Sequence, residues 1–247
     1  MKLIDAHHHL WEPQALPYVW LRQLGKYKPF GDPTAIRRNY LPKNYLDDVG
    51  EANIVELIST VHVQADGALP DPVAETFWLE DLKSTIPSAI VGFADLGSAD
   101  LHKVLKRHAQ SPRFRGVRQI IGKLADRPDL SFTSEDLLEK STWQKGFSLL
   151  QEFNVSFDQQ LYPYKWKVLL IFWEIIRKQR LFWIMPVFPM TKLIMVLNFG
   201  EQGWNSFLNC RTCMSNFQAS GCSTVIGMLK IQKEFFKNYI RLLGQSA

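Results

Sequence analysis

At 247 residues and 46% hydrophobic composition, the chain is long enough to bury the core of one sizeable domain, in the size range of an α/β barrel. No basic stretch followed by an apolar run opens it, and its three cysteines, Cys210, Cys213 and Cys222, are odd in number and close together. These features argue against a secretory leader and a disulfide framework, and for a cytoplasmic protein. The net charge of +5 conceals a break: through Lys165 there are 19 Lys/Arg, 21 Asp/Glu and all six histidines, whereas from Trp166 onward 10 Lys/Arg face three acids.

Lys2–Ala6 reads as a first strand, running into Asp-Ala-His-His-His-Leu-Trp at residues 5–11. A Pro-rich aromatic excursion from Trp11 to Pro42 precedes a short helix over Tyr45–Glu51 and a second strand within Val55–Gln64. Asp71-Pro72 supplies an N-cap and a first-turn proline for a helix through Lys83, with Ala74, Phe77, Trp78 and Leu82 as its apolar stripe. Ala89–Leu96 forms a third strand, and Ser98 caps a helix carrying Leu101, Val104 and Leu105. A fourth strand over Phe114–Ile121, helices around Glu135–Lys140 and Trp143–Phe153, and a fifth strand over Val155–Leu161 complete the alternation. Five strands in this span is the rhythm of a (β/α)8 barrel, at roughly 30 residues per unit.

Reactive residues of such barrels sit at the C-terminal strand ends. There the sequence puts His7 and His9, His62 and Gln64, Arg118 and Gln119, and Asp158 and Gln160. Strand alternation sends His7 and His9 to one face and His8 to the other, and two imidazoles about 6–7 Å apart along a strand can converge on one divalent ion. A tag remnant or a solvated loop is the alternative for three adjacent histidines, but an apolar strand precedes them and Leu10-Trp11 follows. Gln64 and Gln160 read equally as hydrogen-bonded core amides, and Arg118 as a structural partner of Asp158.

Ile4–Trp11 followed by Pro17-Tyr18-Val19-Trp20-Leu21 resembles the amidohydrolase-related family, in particular its lactonase-like branch. Val61–Ala65, Glu75 with Trp78, Val91–Leu96, Phe114–Arg118 and Ser156–Pro163 fit the same family in order, so the resemblance covers residues 2–165. It implies a distorted (β/α)8 barrel, α/β in class, over a single domain spanning 1–247. It also implies a hydrolase opening a lactone of a sugar acid or pyrone carboxylate. His7 and His9 would hold a divalent ion, with zinc the expected one, or the site would be purely hydrogen-bonded, since relatives differ in metal dependence. Arg118 would grip a substrate carboxylate or a developing oxyanion. Asp158 or Gln160 would orient substrate hydroxyls, with Gln64 and Trp11 lining the same site. A non-oxidative decarboxylase of the same superfamily is the alternative chemistry.

The family's later segments are not spelled in the printed frame. Starting each codon one nucleotide early lets Leu181–Thr191 read as Leu-Asp-His-Ala-Gly-x-Pro, Phe199–Trp204 as Trp-Arg-Ala-Gly-Met, and Asn209–Met228 as a Pro-Asn-Val and Lys-Leu-Ser segment. Ile231–Gly244 again resembles a family helix in the printed frame, within about 229–244. The sequence therefore suggests that about 166–226 is out of frame and that the chain stops before the last strand, whose base is missing. Such a chain is expected to fold poorly and to be inactive, the product of a damaged gene. As for other partners, Glu174, Arg177, Lys178 and Arg180 interrupt the apolar stretch from Val168 to Phe199, leaving it short of the roughly 20 residues a membrane span needs. Cys210-x-x-Cys213 with Cys222 lacks a fourth zinc ligand, and a nucleic-acid surface is not expected either. The expected partner is a small-molecule substrate.

Overall fold

Six strands, all parallel to their neighbours, lie side by side in chain order: β1 (Lys2–His8), β2 (Glu56–Val63), β3 (Ala89–Phe93), β4 (Phe114–Ile120), β5 (Ser156–Gln160) and β6 (Leu181–Ile184). They belong to a computed structural model that describes residues 2–23, 33–52, 56–65, 69–123, 126, 128, 131–160 and 181–184. The helices between them are α1 (Val19–Arg22), α2 (Pro42–Glu51), α3 (Ala74–Asp81), α4 (Leu101–His108) and α5 (Ser141–Leu149), with 3-10 turns at Pro33–Ile36 and Leu137–Glu139. A doubly wound sheet would reverse its order at a switch point. Strict sequential order is instead that of a barrel wall, so the architecture is α/β, a parallel sheet consistent with part of a (β/α)8 barrel.

Register assigns the two faces. Val61, Val63, Ala89 and Val91 form a buried cluster on one of them. Pairing extends that face across the sheet, from Val91 to Gly116 to Ser156 and from Phe93 to Arg118 to Asp158. The opposite face is covered by helices: Leu10, Tyr45, Leu79, Ile86 and Ile90 pack together, with Trp78 and Leu82 against them. Farther along, Phe157 meets the rings of Trp143 and Phe147 from α5 at 5.8 and 5.3 Å. Each fully buried Leu or Phe in this layer contributes about 1.5–3 kcal/mol. Gly146 lets α5 come this close, since a Cβ there would lie 1.8 Å from the Leu96 carbonyl oxygen.

The strand assignments from sequence hold to within a few residues, with three corrections. First, β1 continues through His8, and its pairing with β2 shifts register between Asp5 and His8. Second, α3 starts at Ala74, with Asp71 a turn earlier, where it accepts from the Val73 amide and forms an ion pair with Arg107. The residues that α3 buries are Glu75, Thr76 and Leu79 rather than the expected stripe. Third, the sheet has a sixth strand where five were expected. Leu-Phe-Trp-Ile at 181–184 pairs with β5, from Phe157 opposite Leu181 to Gln160 opposite Ile184. An apolar, aromatic tetrapeptide has strand propensity whatever its origin. Residues 166–180 and 185–247, including the cysteines and the helix expected near 229–244, lie outside the described residues. Among the described residues no helix is long and apolar enough to cross a membrane.

Candidate functional site

The site grows from the irregularity in β1. Asp5 accepts from the Tyr45 hydroxyl at 2.8 Å, and the His8 ring lies 4.5 Å from the Tyr45 ring. Residues three apart thus meet the same helix-borne tyrosine, which regular alternation forbids and a bulge allows. Past the irregularity, His7 and His9 turn toward each other, with their Nε2 atoms 3.1 Å apart. The other carboxylate oxygen of Asp5 accepts from the His7 amide at 3.1 Å, so Asp5 holds the backbone on which that ring sits.

Hydrogen bonding assigns the tautomers. His9 Nδ1 donates to the Val63 carbonyl at 2.6 Å, which leaves the lone pair on Nε2 to accept the Nε2–H of His7. Burial holds both imidazoles well below the usual pKa of 6.5, and the Arg118 charge adds to the effect in each, so both rings are neutral near pH 7. Neutral nitrogens, one locked by a backbone carbonyl behind it, are what metal ligation requires. Two nitrogen donors at tetrahedral positions around zinc lie roughly 3.3 Å apart, close to the separation seen here, so the pair fits as two of an ion's ligands once the His7 proton moves to Nδ1. Among the described residues no third His, Cys, Asp or Glu joins them.

Arg118 comes from β4 on the same face. Its Nη2 donates to the Gln64 carbonyl, and its Nε is buried without a hydrogen-bond partner among the described residues. Burial lowers its pKa to about 10, opposed by the charges of Asp158 and Glu75, so it remains a cation at neutral pH. Asp158, its register neighbour on β5, is pushed up to about 7 by burial, with Arg118 pulling the other way. A cation and a half-protonated carboxyl therefore sit side by side near the two neutral imidazoles.

Comparison with known proteins bears on this arrangement. An uncharacterised protein of Sinorhizobium fredii is 34% identical over 162 residues, 65% of this chain and 54% of that protein. The L-fucono-1,5-lactonase of Burkholderia ambifaria is 26% identical over 171 residues, 68% of this chain and 51% of its own length. Among solved structures, an amidohydrolase from Burkholderia multivorans with bound zinc has a TM-score of 0.52 at 22% identity, covering 73% of this chain and 56% of that one. Amidohydrolase 2 from Bifidobacterium longum subsp. infantis has a TM-score of 0.51 at 14% identity, covering 74% and 60%. The chain shares the fold of these two amidohydrolases over about three quarters of its length. No protein-family model matches it. It spans about half the length of the curated relatives it matches.

Of the residues singled out from the sequence, the amidohydrolase-type fold brings His7, His9, Arg118 and Asp158 to one face. Gln64 joins them through its main chain: its carbonyl holds Arg118 and its amide donates to Val91, while its own side-chain oxygen is buried without a hydrogen-bond partner among the described residues. Trp11 serves elsewhere, donating to the carbonyls of Ile36 and Arg38 and stacking on Tyr40, which pins the 33–40 segment. The side chain of Gln160 lies outside what is described. Gln119 faces the helices and accepts from the Trp143 indole at 2.7 Å. His62 also points to the helix side, paired with Glu75 at 2.8 Å. Sequence reasoning missed Glu75 as a site neighbour. The available signal was a lone carboxylate on a helix turn that packs inward.

Proposed function

We propose that this chain carries the substrate-gripping part of a lactone hydrolase of the amidohydrolase type, acting on a cyclic ester of a sugar acid or pyrone carboxylate from within a distorted (β/α)8 barrel in the cytoplasm. The reading is carried by one observation: two neutral, facing imidazoles at the end of β1 lie on the same sheet face as the buried Arg118 and Asp158. The bound zinc of the amidohydrolase from B. multivorans and the activity named for the lactonase of B. ambifaria support it. His7 and His9 would hold a zinc ion, which when bound supplies Lewis acidity toward the lactone carbonyl. Arg118 binds the substrate carboxylate or the oxygen on which charge develops, its unpartnered Nε supplying one free donor. Asp158, held near neutrality, is suited to exchange a proton with a ring oxygen or hydroxyl of the substrate. Gln64 and Gln160 complete the substrate surroundings in this reading, whereas Trp11 pins the 33–40 segment. The ligand is a small molecule, not a nucleic acid or a membrane.

We further propose that about residues 166–226 are read out of frame, which makes the chain inactive as it stands. The charge break at Lys165 and the family segments recovered at a single offset support this. Accurate transcript reads across the codons for Lys165–Lys167 test it, and an uninterrupted frame would defeat it. For the activity, a coding sequence restored to the shifted frame should give a protein that releases one proton per lactone opened. Substituting His7→Ala and His9→Ala together should abolish that release. A folded, restored protein that opens no lactone but releases carbon dioxide from a pyrone or aromatic acid would move the assignment to a decarboxylase.

A further inference from the structure

Behind the two imidazoles lies a buried pair that no role has yet claimed. His62, on the helix side of β2, accepts the Leu10 amide at Nδ1 at 3.1 Å, which puts its proton on Nε2, and this donates to Glu75 Oε1 at 2.8 Å. The same carboxylate oxygen accepts the Ala65 amide at 2.8 Å. Leu10 directly follows His9, and Ala65 directly follows Gln64, whose carbonyl holds Arg118. One carboxylate on α3 therefore ties together the C-terminal ends of β1 and β2, the two places where the chain leaves the sheet and the site begins. Both side chains are buried, with His62 at 0% and Glu75 at 4% exposure, so these hydrogen bonds have little competition from water.

We infer that Glu75 and His62 are positioning residues, which hold the His9 ring and the Gln64 carbonyl at the separation that lets His7, His9 and Arg118 act on one substrate. The inference rests on the proposed function for its purpose, but its contacts stand by themselves. A packing role alone would make any residue of similar volume adequate. A positioning role depends on which nitrogen of His62 carries the proton and on the two acceptances at Glu75. Outer hydrogen-bonding partners of this kind, when removed, typically weaken a metal site by about 10–100-fold.

The test uses the full chain and two substitutions that divide the imidazole's duties. His62→Asn keeps an acceptor near Nδ1 for Leu10 and gives up the bond to Glu75, whereas His62→Gln keeps a donor for Glu75 and gives up Leu10. Glu75→Gln serves as a third variant that keeps volume. Readouts are amide hydrogen exchange at Leu10 and Ala65, ring nitrogen shifts of His7 and His9, and titration with zinc alone. Leu10 exchange should speed up by at least about tenfold in His62→Gln but much less in His62→Asn. Ala65 should respond in Glu75→Gln, and zinc should bind about 10–100-fold more weakly in His62→Gln and Glu75→Gln. Wild-type exchange and ring shifts in a folded His62→Gln or Glu75→Gln variant would overturn the inference. Failure of all three variants to fold would overturn it too, by making the pair a packing element. A parent chain that binds no zinc counts against the metal-assisted reading alone, because the exchange and ring shifts still judge the brace.

Discussion

Asp158→Asn should remove a pH-dependent liability from the fold. The carboxyl has an ordinary value of 3.8 and a folded value of about 7, raised by burial against the opposing pull of Arg118. A group whose folded pKa is raised gives the native state its full contribution below the unfolded value and loses it as pH climbs through the folded value. Between pH 4.5 and pH 8 the unfolded chain ionises freely while the folded chain resists until near pH 7. The penalty accumulates over about two and a half pH units, on the order of 3 kcal/mol. Asparagine keeps the shape and cannot ionise. Urea unfolding at the two pH values should therefore show the parent losing on the order of 3 kcal/mol relative to the variant as pH rises. The buried histidines, whose folded values are lowered, pull the other way, but they are common to both proteins and cancel in the comparison. Parallel stability curves for parent and variant would refute the reasoning, because they would mean that Asp158 titrates in the folded state as it does in water.

Other outcomes follow from the same geometry. Arg118→Met should raise the titration midpoints of His7 and His9, since the guanidinium depresses both, and ring NMR titration reads the shift directly. If His7 and His9 hold zinc as proposed, His9→Ala should weaken zinc binding, and it should also lower stability because the Val63 carbonyl loses its donor, both checked by zinc titration beside a denaturant curve. Leu79→Ala, in the layer between α3 and the sheet, should cost about 2–5 kcal/mol in the denaturant midpoint. Gly146→Ala should cost about 1–3 kcal/mol or more, because the new methyl meets the Leu96 carbonyl at a distance no rotamer relieves.

The sequence makes the strands and their common polar ends legible because period-two patterning and the placement of reactive groups at strand ends are local rules. His7 and His9 could be paired from alternation alone. The bulge that converges them could not, since it arises where Asp5 and His8 both meet Tyr45, some 40 residues later in the chain. The buried face of α3 was misjudged for a related reason. Glu75 and Thr76 look solvent-facing by type, yet each meets a histidine from another element, His62 and His108. A polar residue goes inside when a distant partner satisfies it, and that partner is not written nearby. β6 was missed because family spelling was weighed above plain strand propensity.

The hydrogen bonds that orient the two facing rings come from Asp5, Tyr45, Val63, His62 and Glu75. All of them belong to the first third of the polypeptide. A ribosome that has released roughly a hundred residues has already exported every donor and acceptor of that grip, well before the codons past Lys165 are read. Whatever the chain carries past Lys165 therefore leaves each of these hydrogen-bonding groups in place.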